Sequence, residues 1–225
     1  EKLFFWHGQL FPVPSGPLGS IRVGTWRDDA TGPMQVVSGP IGRPTVHFEA
    51  PVAARLQQEM EAFLAWYNAE DAENKVLKAA IAHLWFVTIH PFDDGNGRLA
   101  RAITDRMLAK AEGSDCRFYS LSTQICHDRN AYYEALEDAQ KGSMDITEWI
   151  QWFLQCFLRA LANVDHTLNG VFRRNRFWNA MAGVPLNERQ RLVIGRLLED
   201  FEGKLTSMKW GKLAKCSHDT ANRDI

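Results

Sequence analysis

The stretch from about Glu73 to Ile89 constrains the fold most. Val76, Leu77, Ala80, Ile81, Leu84, Trp85 and Val87 recur at helical spacing, and toward its end the stretch is apolar almost all round. A helix without a polar face has no side to give to water, so it lies in the middle of a core. Its end is also set. The residue before a proline is pushed out of the helical region, which stops this helix at the Ile89-His90-Pro91 step. A helix restarts near Gly97 and continues through Ala100, Ile103, Met107 and Leu108 to Gly113. The few residues between the two form a loop with a rigid root.

The rest of the chain also reads as helical. Leu56, Met60, Phe63, Leu64 and Tyr67 mark a helix whose first turn can accept Pro51. Further helices are predicted at about Asp128–Gln140, with Asp128 as cap, at Asp145–Ala162 and at Leu168–Ala182. The Trp and Phe residues from Trp149 to Phe157 form a core stripe on the second of these. Residues 1–50 are rich in Gly and Pro and read as loops and short strands. Met34–Ser38 and Thr45–Phe48, joined by Gly39 to Pro44, predict a hairpin. The fold class is therefore an all-α bundle with a small β-hairpin.

The segment after Asn187 has a separate character. Asn187–Phe201 reads as a helix with Val193, Ile194, Leu197 and Leu198 on one face, Ser207–Ala214 as a second, and a third begins at Ser217. From Asp165 onward there are eleven Lys and Arg against seven Asp and Glu, behind a body with fifteen against twenty. Three short helices with a basic excess predict a partial winged-helix or helix-turn-helix module, its wing and most of its third helix expected beyond Ile225. The domains predicted are an N-terminal extension (1–29), a catalytic core (30–165) with its hairpin at 34–48, a connecting helix (166–186) and the C-terminal module (187–225).

Composition narrows the classes. Of 225 residues, 45% are apolar and 24% charged, which argues against global disorder. The net charge of -1 gives the whole molecule no pull toward nucleic acid or anionic lipid. Cys116, Cys126, Cys156 and Cys216 form no close pair, so neither a zinc site nor a disulfide framework is expected. Reduced thiols predict a reducing, cytoplasmic setting. No apolar run is long enough to span a bilayer, so no membrane partner is expected. The sequence does not begin with Met, and the native N-terminus is expected upstream.

The residues His90-Pro-Phe-Asp-Asp-Gly-Asn-Gly-Arg-Leu-Ala-Arg101 carry the chemistry. A helix start has unpaired N–H groups and the positive end of the dipole, and is a ready anion site. Gly95 and Gly97 allow a phosphate close to the backbone. Arg98 and Arg101 are three apart, on one side of the first turns, and guanidinium forks match phosphate oxygens. Asp94 is placed to hold a divalent cation, and His90 is a candidate general base. The set describes phosphoryl or nucleotidyl transfer.

This stretch resembles the signature of the Fic family, His-x-Phe-x-Asp/Glu-Gly-Asn-Gly-Arg-x-x-Arg, at every specified position. The hairpin resembles the family's flap, and Arg129-Asn-Ala-Tyr-Tyr-Glu-Ala-Leu136 resembles the helix after its motif, so residues 30–160 are covered. The resemblance implies a helical bundle with a hairpin flap and a protein AMP transferase using ATP. It implies that His90 takes the proton of a Ser, Thr or Tyr hydroxyl and that Asp94 holds Mg2+ between the α- and β-phosphates. Gly95, Asn96 and Gly97 would cradle phosphates, Arg98 the β-phosphate region and Arg101 the γ-phosphate. Phe92 would anchor the loop, and Tyr132 and Gln140 would contact the nucleoside. Thr45, Val46, His47 and Phe48 would flank the nucleotide and pair with the target protein by strand addition. ATP and a target protein are the implied partners. DNA at the C-terminal module and a second copy of the chain are further candidates.

Other readings compete with these. Gly95 to Ala100 also matches the dinucleotide fingerprint G-x-G-x-x-A, but that needs a preceding strand and here a helix precedes. His83 reads as a core or supporting residue. His7, His47, His127, His166 and His218 lack metal spacing and read as structural or surface residues, with His47 alone a candidate for touching nucleotide or target. Tyr132 and Tyr133 are adjacent on a helix, so one of them belongs to the core. Arg173, Arg174 and Arg176 read as a solvated face. Transfer of another phosphate-containing group, or a DNA-binding regulator with the core as sensor, are the alternative functions. Gly97 stands where the related Doc proteins carry lysine, which favours AMP transfer. The family's inhibitory pattern, Ser/Thr-x-x-x-Glu-Gly/Asn, is absent. Glu73-Asn74, Glu112-Gly113 and Glu202-Gly203 are preceded at four residues by Ala69, Leu108 and Leu198. A brake on Arg101 is therefore expected upstream, if anywhere.

Overall fold

The computed structural model describes residues 1–11, 21–40, 42–70, 74–114, 117–199, 201 and 203–225, with backbone alone at 165–167 and 169. Glu73, Ile41, Cys116 and Glu202, and the side chain of His166, fall outside the described residues. Contacts divide the chain into two compact units, Glu1–Leu161 and Ala162–Ile225.

The first unit is a helical bundle with one two-stranded sheet. Its helices are α1 (Lys2–Leu10), α2 (Leu56–Asn68), α3 (Lys75–Ile89), α4 (Asn96–Glu112), α5 (Leu121–His127), α6 (Arg129–Lys141) and the start of α7 (Thr147–Ala180). The strands are β1 (Gln35–Ser38) and β2 (Thr45–Glu49), antiparallel, with a bulge between Val36 and Val37. As its sequence demands, α3 is the central rod. Ala79, Ala80, Ala82, His83, Phe86 and Ile89 are buried, and Asn74 caps the rod with its side chain on Val76 N–H at 2.9 Å. α4 packs along α3, and the indole of Trp149 donates to the Ala80 carbonyl at 2.9 Å. That bond ties α7 to the same centre.

Four expectations are corrected. Residues 2–10 are helical, not loop or strand: Leu3 and His7 turn inward from α1, and Phe4, Trp6 and Leu10 pack on the core. Pro51 precedes a short 3-10 helix, Ala53–Arg55, rather than opening α2. Asp128 precedes α6 without capping it, because its carboxylate is taken by Arg159 at 2.7 Å and Gln124 at 2.9 Å. The two stretches predicted between Asp145 and Ala182 are one helix, α7. Its 34 residues contain one glycine and no proline, so no residue within it obliges a break.

The second unit carries α8 (Glu188–Leu197), α9 (Ser207–Ala214) and α10 (His218–Asp224). Asn187 and Gln190 close a capping box at the start of α8. No strand occurs among the described residues of this unit.

Candidate functional site

The site is the loop from His90 to Gly95 and the first turns of α4. His90 ends α3 in the left-handed conformation, φ 51° and ψ 58°, with its N–H on the Phe86 carbonyl at 3.1 Å. A non-glycine residue there is costly and persists only where the surroundings over-determine it. Three braces do so. Arg27, 3% exposed, donates Nε to the His90 carbonyl at 2.7 Å and its backbone N–H to the Pro91 carbonyl at 2.9 Å. Its remaining nitrogens reach Asp29 at 2.8 Å and the Pro51 carbonyl. Asn96 grips the loop from within, accepting the Phe92 N–H at 3.0 Å and donating to the Phe92 carbonyl at 2.7 Å. His7 of α1 stacks on Phe92 at 4.1 Å and 10° and bonds the Asp94 carbonyl at 3.1 Å. Since Gly24 N–H donates to His7 Nδ1 at 3.0 Å, the ring proton sits on Nε2 and serves Asp94.

Those braces leave His90 ready to accept a proton. Burial holds its imidazole below the usual histidine range, the nearby Arg27 charge acts the same way, and the Val87 carbonyl and Asp94 oppose them. The ring is therefore neutral at neutral pH. Nδ1 lies 3.1 Å from the Val87 carbonyl, which only accepts, so Nδ1 carries the hydrogen and Nε2 keeps its lone pair.

Beyond Phe92 the loop turns into an anion cradle. Gly95 has φ 85°, and a Cβ there would stand 3.2 Å from Leu10 and 3.3 Å from Phe11. Both the turn and the close cover of α1 therefore require glycine. The first N–H groups of α4 have no intrahelical acceptor. Arg98 lies over the Phe11 ring at 4.8 Å and reaches Asp94 at 3.2 Å. The Asp94 side chain is 57% exposed, with one oxygen on the Gly95 N–H at 2.6 Å. Arg101 is half-buried, and no carboxylate pairs with it among the described residues. Nor do three His, Cys, Asp or Glu side chains converge as a metal cage among the described residues. The donor set at Asp94 is one exposed carboxylate with Oδ1 on the Gly95 N–H and Oδ2 on Arg98; a hard cation there would take the place of Arg98 and its other oxygens from phosphate and water.

α6 links this loop to the hairpin. Glu137 accepts from His47 Nδ1 at 2.8 Å, His47 Nε2 meets Ser38 Oγ at 2.6 Å, and Gln140 donates to Thr88 at 3.2 Å, two residues before His90. Thr45 and Val46 are exposed, and His47 and Phe48 half-buried. Tyr132 turns inward at 5% exposed, while Tyr133 is 50% exposed. Beneath the cradle runs a closed relay. Thr104 Oγ1 donates to the Ala100 carbonyl at 2.8 Å and accepts from His83 Nδ1 at 3.0 Å. His83 Nε2 accepts the Tyr132 hydroxyl at 2.9 Å. Burial first, and the Arg101 charge second, push His83 down to about 3. His83 is a neutral core histidine that joins α3, α4 and α6 under Arg101.

His7 and Arg27 are the residues that sequence reasoning missed as parts of the site. Both lie in the stretch read as loops and strands, and nothing in their spacing marks a buried brace. The grip of Asn96 yields an expected result. Asn96→Ala orphans two buried backbone groups and should lower unfolding stability by roughly 2–6 kcal/mol in a urea melt, since each such group costs about 1–3 kcal/mol. Asn96→Asp keeps the acceptor for the Phe92 N–H but sets a carboxylate oxygen against the Phe92 carbonyl, and should lose at least as much. A loss below 1 kcal/mol for Asn96→Ala would count against the grip.

Comparison with known proteins follows the same line. Residues 1–108 match the family model described as Fic/DOC family. A protein from Nematostella vectensis named Protein adenylyltransferase Fic is 34% identical over 113 residues, 49% of this chain and 25% of the other. The protein of the same name from Culex quinquefasciatus is 36% identical over 104 residues, 45% of this chain and 19% of the other. The chain thus spans a quarter or less of the length of these relatives. The crystal structure of a Fic family protein from Desulfovibrio desulfuricans G20 superposes with a TM-score of 0.56 at 22% identity, covering 98% of this chain and 58% of that one. A Fic domain containing signaling protein from Bacteroides thetaiotaomicron superposes with a TM-score of 0.54 at 21% identity, covering 72% and 60%. At these identities the two structures speak for the fold.

Proposed function

We propose that this chain, a member of the Fic/DOC family through its residues 1–108, transfers AMP from ATP to a hydroxyl group of a target protein. One observation carries the reading. A neutral imidazole with a free Nε2 stands at one end of a six-residue loop. At the other end is a phosphate cradle whose Arg101 has no carboxylate partner among the described residues.

The residues divide the work as follows. The N–H groups at the start of α4, with Arg98 and Arg101, hold the β- and γ-phosphates and leave the α-phosphorus open to attack. Asp94 would hold Mg2+, which supplies positive charge against the phosphate oxygens. His90 Nε2 takes the proton as the target oxygen bonds to the α-phosphorus. The bond from that phosphorus to the bridging oxygen breaks, and pyrophosphate leaves with the electron pair. The side chain of Asn96 is committed to Phe92 and acts on phosphate only through its backbone. Gln140 lies beside Thr88 on the α6 surface that receives the nucleoside. Tyr132 is buried and supports that surface from below.

The hairpin receives the target. Among the described residues its two strands pair only with each other, and the cross-strand neighbours Val37 and Val46 are both exposed. A free strand edge with an apolar pair beside it suits strand addition by an extended peptide. The hydrogen bond of His47 to Glu137 ties the hairpin to α6 and so to the nucleotide.

Incubation with lysate and Mg2+, using ATP labelled at the α- or γ-phosphate, tests the reading. Label retained on protein from the α position alone is expected. Label from γ alone would mean phosphoryl transfer, and no label from either would favour a core that only senses nucleotide. No helix among the described residues is long and apolar enough to cross a membrane.

A further inference from the structure

The C-terminal unit shares no residue with the loop and has its own small core. Val193 of α8, Trp210 of α9 and Ala221 of α10 are buried together, with Leu197, Leu205 and Leu213 packed around them. The turn from α9 to α10 is only Lys215-Cys216-Ser217. Lys215 adopts the left-handed conformation, φ 51°, and the Cys216 N–H bonds the Gly211 carbonyl at 3.0 Å. A Cβ at Gly211 would stand 3.1 Å from the Cys216 carbonyl oxygen, so the turn packs closely against this glycine. Ser217 caps α10 on the Thr220 N–H at 3.2 Å. At its far end Asp224 accepts from Arg189 at 2.6 and 3.0 Å and from Asn187 at 3.0 Å, which ties α10 to α8.

These anchors decide what α10 shows to solvent. Ala221 and Asp224 face inward, and His218, Asp219, Asn222 and Arg223 are exposed. The exposed set is wholly polar. Asn222 Nδ2 meets His218 Nδ1 at 3.1 Å, which orders the amide. Lys204, Lys212 and Lys215 are exposed on the same helix pair and its leading loop. Asp224, one of the two acidic residues after Lys204, is already neutralised by Arg189.

We propose that α9 and α10 are a helix-turn-helix that binds duplex DNA, with Asn222 and Arg223 at base edges and the surrounding lysines at phosphates. Two helices joined by a three-residue turn, the second presenting a polar face, fit the major groove. An amide and a guanidinium are the side chains that read adenine and guanine there. A protein partner would call for an apolar anchor; the four exposed residues of α10 are polar, and the exposed apolar side chains beside them are Met208 of α9 and Ile225 after α10. The inference goes beyond AMP transfer, and neither depends on the other.

Fluorescence anisotropy of the 225-residue chain with a labelled duplex of mixed sequence tests it. Binding is expected at about 50 mM salt and should weaken on the order of 40-fold at about 200 mM if three phosphates are contacted. In the Lys204→Glu/Lys212→Glu variant the salt effect should shrink to roughly 3- to 4-fold. Duplexes selected from a random pool should share a short sequence, and Asn222→Ala should lose the preference for it by about tenfold or more. Self-labelling by ATP is expected to stay at its wild-type level in both variants. No duplex binding at low salt overturns the proposal, as does binding indifferent to the lysine reversals. Capture of a protein through Asn222 and Arg223 without duplex binding overturns it as well.

Discussion

The His90→Ala protein should lose AMP transfer by roughly a hundred- to ten-thousand-fold, the range in which a positioned base acts, while its affinity for ATP stays within about twofold. In the proposed mechanism the base meets the incoming hydroxyl, not the phosphates, so binding and turnover should separate in this variant. Position 90 is left-handed, with φ 51°. Alanine keeps the backbone cost that histidine already bears, and His90→Asn provides a variant better suited to that conformation. Both should be inactive. The wild-type pH profile gives a second check. Burial lowers the His90 pKa, so Nε2 stays unprotonated through neutral pH, and activity should fall only as pH drops below the ordinary histidine range near 6.5. An acid limb centred above 6.5, or a His90→Asn protein with more than a tenth of wild-type turnover, would remove His90 from this role.

Asp94→Asn is expected to have the next largest effect. The amide oxygen can still accept the Gly95 N–H, which Asp94 now does at 2.6 Å, so the turn survives while the charge and its ion pair with Arg98 are lost. Transfer should drop on the order of a hundredfold or more, because a cation stabilises phosphate charge by several kcal/mol. The Mg2+ concentration for half-maximal activity should rise, and the gain in ATP affinity that Mg2+ gives the wild type should disappear. Isothermal titration with ATP, with Mg2+ and with chelator, separates the two effects. Equal ATP affinity in Mg2+ and in chelator for the wild type would sink the assignment.

Both variants alter residues visible in the sequence, and the same cannot be said of what holds them. The His90 to Arg101 segment was legible because its chemistry is local. A proline sets the end of α3, two glycines open α4, and the arginines follow at helical spacing. The central place of α3 was legible because its apolar residues leave no face for water. The hairpin, with its Gly and Pro turn, was legible for the same local reason. The three helices of the C-terminal unit were expected from Asn187, Ser207 and Ser217 onward, and in the structure the side chains of Asn187, Thr206 and Ser217 cap them.

Where a residue's role depends on partners far along the chain, sequence was silent or pointed elsewhere. α1 was missed because Gly8 and the Gly and Pro residues behind it speak for loop, while burial of Leu3 and His7 outweighs that local preference. Asp128 has the chemistry of a cap, yet a guanidinium 31 residues away takes its carboxylate. Tyr132 and Tyr133 are equivalent in sequence, and only the presence of His83 at 2.9 Å decides which ring is buried. The loop-helix segment to which the chemistry is assigned was thus written in the sequence by itself. The lowered pKa of His90 follows from its burial, its hydrogen-bearing nitrogen from Val87 and the bracing of its loop from Arg27 and His7, because burial and distant hydrogen bonds exist only once the chain has packed.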